Sequence, residues 1–280
     1  MKKLLFAAAI LFSFNFLMPA QEIKLMTYNL RYDNPDDGEN IWTNRRGYLL
    51  SQITYYEPDI FGTQEGLENQ LEWIKANLGH YSFIGVGRDD GKDKGEHSAI
   101  FYNQGKFNVL DSGNFWLSET KDIPSKGWDA SLNRICTYAL FKDKKDGTKF
   151  WILNVHLDDQ GVIAREKSAE LILNQIKIIN DKNYPCILMG DFNSPPNTVP
   201  IQKIVKVLND SRAICTSKPF GPEETYCGFD VCRRPPERDD YIFTSRDNIT
   251  VTKYAAIVNI FNLHYASDHY PVMATIFLKK

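Results

Sequence analysis

Short apolar runs recur along the chain, and many of them end in an amide, a carboxylate or a histidine. The run 23–28 leads into Asn29, 59–64 into Glu65, and 150–155 into His156. The run 186–190 leads into Asp191 and Asn193, Asp240 opens the run 241–243, and Asp268 and His269 precede the last run, 270–277. Runs of this length predict buried strands, and others lie near 81–86, 97–102, 107–117, 135–141 and 250–258. Helical spacing predicts a helix over 45–56, with Leu49, Ile53 and Tyr56 on one face. It predicts another over 162–179, with Ala169, Leu173, Ile176 and Ile179 aligned, and shorter ones at 67–78 and 199–208. Many strands with few helices predict a mixed α/β sandwich with helices packed outside. Polar residues at the strand ends can then converge on one rim.

At 280 residues and 43% hydrophobic content, the chain can fill one large core, and no repeat or linker divides it. Residues 1–20 are set apart: Lys2 and Lys3, an apolar run over 4–18 broken by Ser13 and Asn15, and Pro19-Ala20 have the order of a secretory signal. The mature domain is then 21–280, exported to the periplasm or beyond. A membrane anchor suits this run less well because it is short and interrupted, and no later run is long enough to span a bilayer. Losing Lys2 and Lys3 takes the formal charge from −2 to about −4. Nucleic acid is therefore a possible partner, held through a local patch such as Arg31, Arg45, Arg46 and Arg134, without a strongly basic surface. In an exported protein the spacing of Cys227 and Cys232 predicts a small disulfide loop. Cys136 and Cys186 sit in apolar runs as core thiols.

Two segments carry candidate chemistry on their own. In Gly190-Asp191-Phe192-Asn193 an extended chain would point Asp191 and Asn193 to the same side, where a carboxylate and an amide address one substrate atom. An ordinary turn before Pro195-Pro196 is the competing reading. In 267–271, Asp268 and His269 stand side by side before a strand, and the histidine can serve as a base if a second carboxylate orients it.

Taken together, TYNLRYD (27–33), GTQE (62–65), GEHSAIFY (95–102), NVHLD (154–158), GDFN (190–193), DYIF (240–243) and SDHYP (267–271) resemble the endonuclease/exonuclease/phosphatase, DNase I-like, superfamily. The set runs in the family's order over nearly all of the mature chain.

The resemblance implies a four-layered αββα sandwich and divalent-metal-dependent hydrolysis of phosphoesters, nuclease-like in the first instance. A phosphomonoesterase, or a sugar or lipid phosphodiesterase, is the alternative; a binding module that retained only the fold is the remote one. Residue by residue, it implies Glu65 as the main metal ligand, with Asn29 and Asp268 nearby. Hard oxygen donors suit Mg²⁺, with Mn²⁺ a substitute. It implies His269 held by Asp240 and His156 held by Glu96, flanking the scissile phosphate. Asp191 and Asn193 would orient water or bind phosphoryl oxygens, and Arg134 would contact the phosphate. Whether Asp191 or His269 takes the proton from water stays open. Asp239 places an extra carboxylate beside Asp240 where the family has an isoleucine. Trp42, Trp116 and Trp128 either stack on a substrate or pack loops.

Overall fold

The computed structural model describes residues 22–232 and 237–279; the expected leader, 1–20, lies outside them. In chain order the elements are β1 (Glu22–Asn29), α1 (Trp42–Tyr56), β2 (Ile60–Gln64), α2 (Glu68–Asn77), β3 (Tyr81–Ile84), β4 (Ile100–Asn103), β5 (Phe107–Trp116) and β6 (Ile135–Asp143). They continue with β7 (Lys149–His156), α3 (Val162–Ile179), β8 (Cys186–Asp191), α4 (Val199–Val205), β9 (Asn209–Asp210), α5 (Ser211–Ile214), β10 (Asp240–Thr244), β11 (Ile249–Ala256) and β12 (Val272–Leu278).

The strands form two six-stranded sheets, ordered β11-β12-β1-β2-β4-β3 and β5-β6-β7-β8-β10-β9. Between them lies one core that includes Leu25, Ile60, Phe150, Ile152, Ile187, Met189 and Ile242. Alternate residues of the same strands face outward. Met26, Tyr28 and Phe61 pack under Leu49, Ile53, Leu71 and Ile74 of α1 and α2. Leu153, Val155, Leu188 and Tyr241 pack under Ala169, Ile172, Ile176 and Ile201 of α3 and α4. The result is the expected αββα order, and it explains the unbroken apolar runs: a central strand covered on both faces has no polar alternation to show.

Local chemistry sets the helix ends. Glu57, left-handed at φ 48°, closes α1 ahead of Pro58. The N-terminus of α3 is capped from a distant loop, with the Asp129 carboxylate accepting from the N–H groups of Ile163 (3.2 Å) and Ala164 (2.6 Å). α1 begins three residues before the periodicity predicts, because Trp42 is buried edge-to-face against Trp73. The expected Cys227–Cys232 bridge is absent: both thiols are free, and Cys227 is buried with its Sγ 3.1 Å from the carbonyl oxygen of Asp268.

Two glycines let backbones approach where the site is built. A Cβ on Gly190 (φ 146°) would lie 2.1 Å from the Val155 carbonyl oxygen of the neighbouring strand. A Cβ on Gly62 would lie 2.6 Å from Oδ1 of Asn154. Through that gap Asn154 ties the sheets together, donating to the carbonyls of Thr63 (2.9 Å) and Ala99 (2.8 Å) and accepting from Gln64 Nε2 (2.7 Å).

Candidate active site

The inward face of the two sheets changes from apolar to polar at one end. Along β1 the inward residues run Ile23, Leu25, Thr27, Asn29; along β7, Phe150, Ile152, Asn154, His156; along β8, Ile187, Met189, Asp191. Pairing brings these ends level. His156 is opposite Asp191 in the parallel β7–β8 pair, Asp191 is opposite Asp240 in the antiparallel β8–β10 pair, and Asn29 is opposite Gln64. The site is thus the inter-sheet core continued in polar residues, which explains why its members are almost wholly buried.

Asp191 is the hub. Its Oδ2 lies 3.7 Å from Nε2 of both His156 and His269 and accepts from Asn29 Nδ2 at 2.9 Å, while Oδ1 accepts from the N–H of Asn193 at 2.9 Å. His269 is fixed on its other nitrogen, with Nδ1 2.9 Å from Asp240 Oδ2. The Ser267–Tyr270 segment is anchored to both sheets. Ser267 Oγ donates to the Asn29 carbonyl (2.7 Å), and the Tyr270 N–H donates to the carbonyl of Thr225 (2.8 Å), whose Oγ1 in turn accepts from the N–H groups of Asp239 (3.0 Å) and Asp240 (3.1 Å).

The two histidines have opposite electrostatic surroundings. Burial alone would lower the pKa of His269, but the charges of Asp240 and Asp191 outweigh it and hold the imidazole well above its ordinary value. His156 is pushed well below, by burial and then by Arg134, Arg88 and His269 itself. The two rings are thus pushed in opposite directions around a single carboxylate. Burial raises Asp191 as well. Burial also lifts Asp268 and Asp239 to about 6 each, with Glu65 adding to the first and Asp240 to the second.

Two groups of residues could hold a cation. Asp191, Asp240 and His269 bring one ligand atom each within 4.8 Å of one another, but the Asp240–His269 hydrogen bond already uses part of that set. Glu65 and Asp268 present two carboxylates to the same cavity, repelling each other where a divalent ion would neutralise both. Glu65 adopts a left-handed backbone (φ 61°), which is costly for a non-glycine residue. Its oxygens accept from Asn29 Nδ2 (3.0 Å) and the Tyr32 N–H (3.2 Å). Asn29 stands between the two carboxylates: its oxygen accepts from the Arg31 N–H at 2.9 Å, and its amide nitrogen donates to Glu65 (3.0 Å) and Asp191 (2.9 Å).

Other expectations are corrected. Glu96 does not hold His156: Nδ1 is 3.8 Å away and has no hydrogen-bond partner. Glu96 instead forms a two-pronged pair with Arg88, at 2.7 Å on each arm. Residues 190–193 are not extended, since Asn193 has φ 44° and its amide nitrogen donates to the Leu157 carbonyl at 3.0 Å. Of the suggested basic patch, Arg45 is buried against main-chain carbonyls and Arg46 lies over the Trp73 ring. Arg31 and Arg134 do line the cavity, each also tied to acids: Arg31 to Asp37, Arg134 to Asp158 and Asp159. Trp42 is core, Trp116 is buried with Nε1 donating to the Arg88 carbonyl at 2.7 Å, and Trp128 is half-buried outside the cavity lining. Arg88, Asp158, Arg165, Tyr226 and Glu237 went unread in the sequence. Only Asp158 carried a signal there, as the last residue of NVHLD.

The cavity over this cluster has a volume of about 590 Å³. Its described lining holds three arginines (Arg31, Arg134, Arg165) and two histidines (His156, His269) against seven carboxylates (Glu65, Glu96, Asp159, Asp191, Glu237, Asp239, Asp268), so before any cation is counted the described lining is more acidic than basic, which disfavours a polyanion.

Known proteins carry the same arrangement of sheets and helices. A structure described as an endonuclease/exonuclease/phosphatase family protein of Bacteroides thetaiotaomicron is similar over 94% of this chain and 100% of its own, at 38% identity and TM-score 0.90. A mannosyl-6-phosphatase of the same organism matches over 91% and 100%, at 40% identity and TM-score 0.89. Among curated sequences, nocturnin of Rattus norvegicus is 24% identical, covering 81% of this chain and 57% of its own. The chain spans between 40% and 59% of the length of that protein and two other curated relatives it matches. The profile of the endonuclease/exonuclease/phosphatase family matches residues 26–269. The chain therefore belongs to the endonuclease/exonuclease/phosphatase family.

Proposed function

We propose that this protein is an exported, Mg²⁺-dependent phosphatase acting on a small, hydroxyl-rich phosphomonoester, a sugar phosphate being the best fit. The observation that carries the reading is the lining of the cavity, in which carboxylates outnumber arginines. Carboxylates accept hydrogen bonds from sugar hydroxyls but repel the next phosphates of a nucleic acid. The likeness to a mannosyl-6-phosphatase at 40% identity supports the same class.

Glu65 and Asp268 would hold the Mg²⁺, which when bound supplies charge neutralisation to the phosphoryl oxygens. The chain's own residues do the rest. Asp191, fixed by Asn29, orients the attacking water and accepts its proton as the phosphorus–oxygen bond to the alcohol breaks, and the departing alkoxide takes a proton from solvent water. His269, clamped by Asp240, donates to a phosphoryl oxygen as charge builds there, and Arg134 adds a second donor. His156, with no hydrogen-bond partner at Nδ1, lines the same space.

The test is a substrate panel with the mature chain and Mg²⁺: mannose 6-phosphate, bis-p-nitrophenyl phosphate, and single- and double-stranded DNA. Hydrolysis of the sugar phosphate well above the diester and the DNA is expected. Duplex affinity, measured with Glu65→Gln in Ca²⁺, should fall in or below the weak non-specific range of roughly 10⁻⁴–10⁻⁶ M. Submicromolar duplex binding with a steep salt slope, or preference for the diester, would overturn the reading in favour of a nuclease.

A further inference from the structure

One carboxylate in the cavity has no part in the chemistry above. Asp239 is 6% exposed, lines the cavity, and its Oδ1 has no hydrogen-bond partner. Its backbone is pinned on both sides: the N–H donates to Thr225 Oγ1 at 3.0 Å and the carbonyl accepts from the Phe192 N–H at 2.7 Å. A buried carboxylate oxygen left without a donor is costly, and the pinned backbone holds the carboxylate group at the cavity wall as a pre-formed acceptor. Glu237, two residues earlier, and Arg165 of α3 line the same cavity and, after His269 and Asp240, act on Asp239 through their charges. The mixture selects the ligand's chemistry. A hydroxyl donates to a carboxylate and accepts from a guanidinium, so neighbouring hydroxyls can use all three groups, whereas an ammonium has no lone pair to accept from Arg165.

We propose that Asp239, together with Glu237 and Arg165, forms a specificity subsite that binds a pair of neighbouring hydroxyls on the leaving group of the phosphoester. The inference rests on the phosphomonoesterase reading and names which residues choose its substrate. No proton or bond to phosphorus passes through Asp239; it binds the part of the substrate that departs as the alcohol.

The experiment compares mannose 6-phosphate with cyclohexylmethyl phosphate, which has an equally poor primary-alkyl leaving group but no ring hydroxyls. kcat/KM for both is measured in the mature enzyme with Mg²⁺, and in Asp239→Asn and Arg165→Met after circular dichroism shows that each variant is folded. The wild type should favour the sugar phosphate, and Asp239→Asn should cut that preference tenfold or more, mainly through KM, with Arg165→Met acting in the same direction. A preference left unchanged, or both substrates slowed by one common factor, would overturn the subsite, the second by pointing to an electrostatic or general-acid role. A shifted Mg²⁺ activation midpoint in Asp239→Asn would also overturn it, placing the carboxylate at a cation. If the wild type hydrolyses neither monoester but cleaves diesters, it is the phosphatase reading that fails. If it hydrolyses the sugar phosphate and the variant keeps the preference, only the subsite fails.

Discussion

Replacing Asn154 with leucine should loosen the joint between the two sheets directly beneath the site. Asn154 is fully buried and makes three hydrogen bonds, to Thr63, Ala99 and Gln64, at 2.7–2.9 Å. Leucine keeps the branching and the number of side-chain heavy atoms, so it leaves no space for a water to replace the bonds. Its former partners are not all orphaned: Gln64 Nε2 keeps Thr27 Oγ1 (3.0 Å), and the Ala99 carbonyl keeps the Thr63 N–H (2.8 Å). At about 1 kcal/mol net for each buried bond, the loss is about 3 kcal/mol. For a domain of this size that corresponds to a Tm lowered by about 6–12 °C. Thermal unfolding followed by circular dichroism, at fixed protein and metal concentration, measures it. A double-mutant cycle with Gln64→Leu should return a coupling of about 1 kcal/mol, because the two side chains share one bond. A Tm within about 2 °C of wild type would refute the claim that this amide joins the sheets.

Chelation with EDTA should abolish phosphoesterase activity, and Mg²⁺ or Mn²⁺ should restore it; turnover that survives thorough chelation would sink the Glu65/Asp268 assignment. His269→Ala and His156→Ala should each lower kcat by roughly 10²-fold or more, with Asp240→Asn reproducing part of the His269 loss; a folded His269→Ala enzyme at wild-type rate would remove it from the mechanism. Acid should destabilise the protein in part through Asp158. Burial raises this carboxyl, but the Gly161 and Ser131 N–H groups and Arg134 outweigh it and hold it below its ordinary value. Its contribution is complete above its unfolded pKa, about 3.9, and is lost as pH falls towards the folded value. The Tm of wild type should therefore drop more steeply than that of Asp158→Asn between about pH 5 and 2, and parallel curves would contradict this.

The sandwich was legible in the linear pattern because strands covered on both faces must be apolar throughout. The residue that ends the burial, whether Asn29, His156 or Asp191, stands out at once against such a run. Each of these keeps the inward parity of its strand, so period-two alternation alone directs it to the inter-sheet side. Partnership was a different matter, because it depends on which loops meet. Glu96 is one residue from His97 and close to His156 in space, yet Arg88, eight residues away in the same loop, claims both its oxygens. A guanidinium fork satisfies a carboxylate more fully than one imidazole nitrogen can. Likewise, Arg45 reads as one more exposed cation until folding buries it against the carbonyls of Arg31 and Ala266. The sequence by itself thus determined the layers, the rim and the residue types gathered there. The tertiary structure alone decided the pairings, the opposite pKa shifts of His156 and His269, and the acidic balance of the described cavity lining, because each depends on distance and burial among segments far apart in the chain.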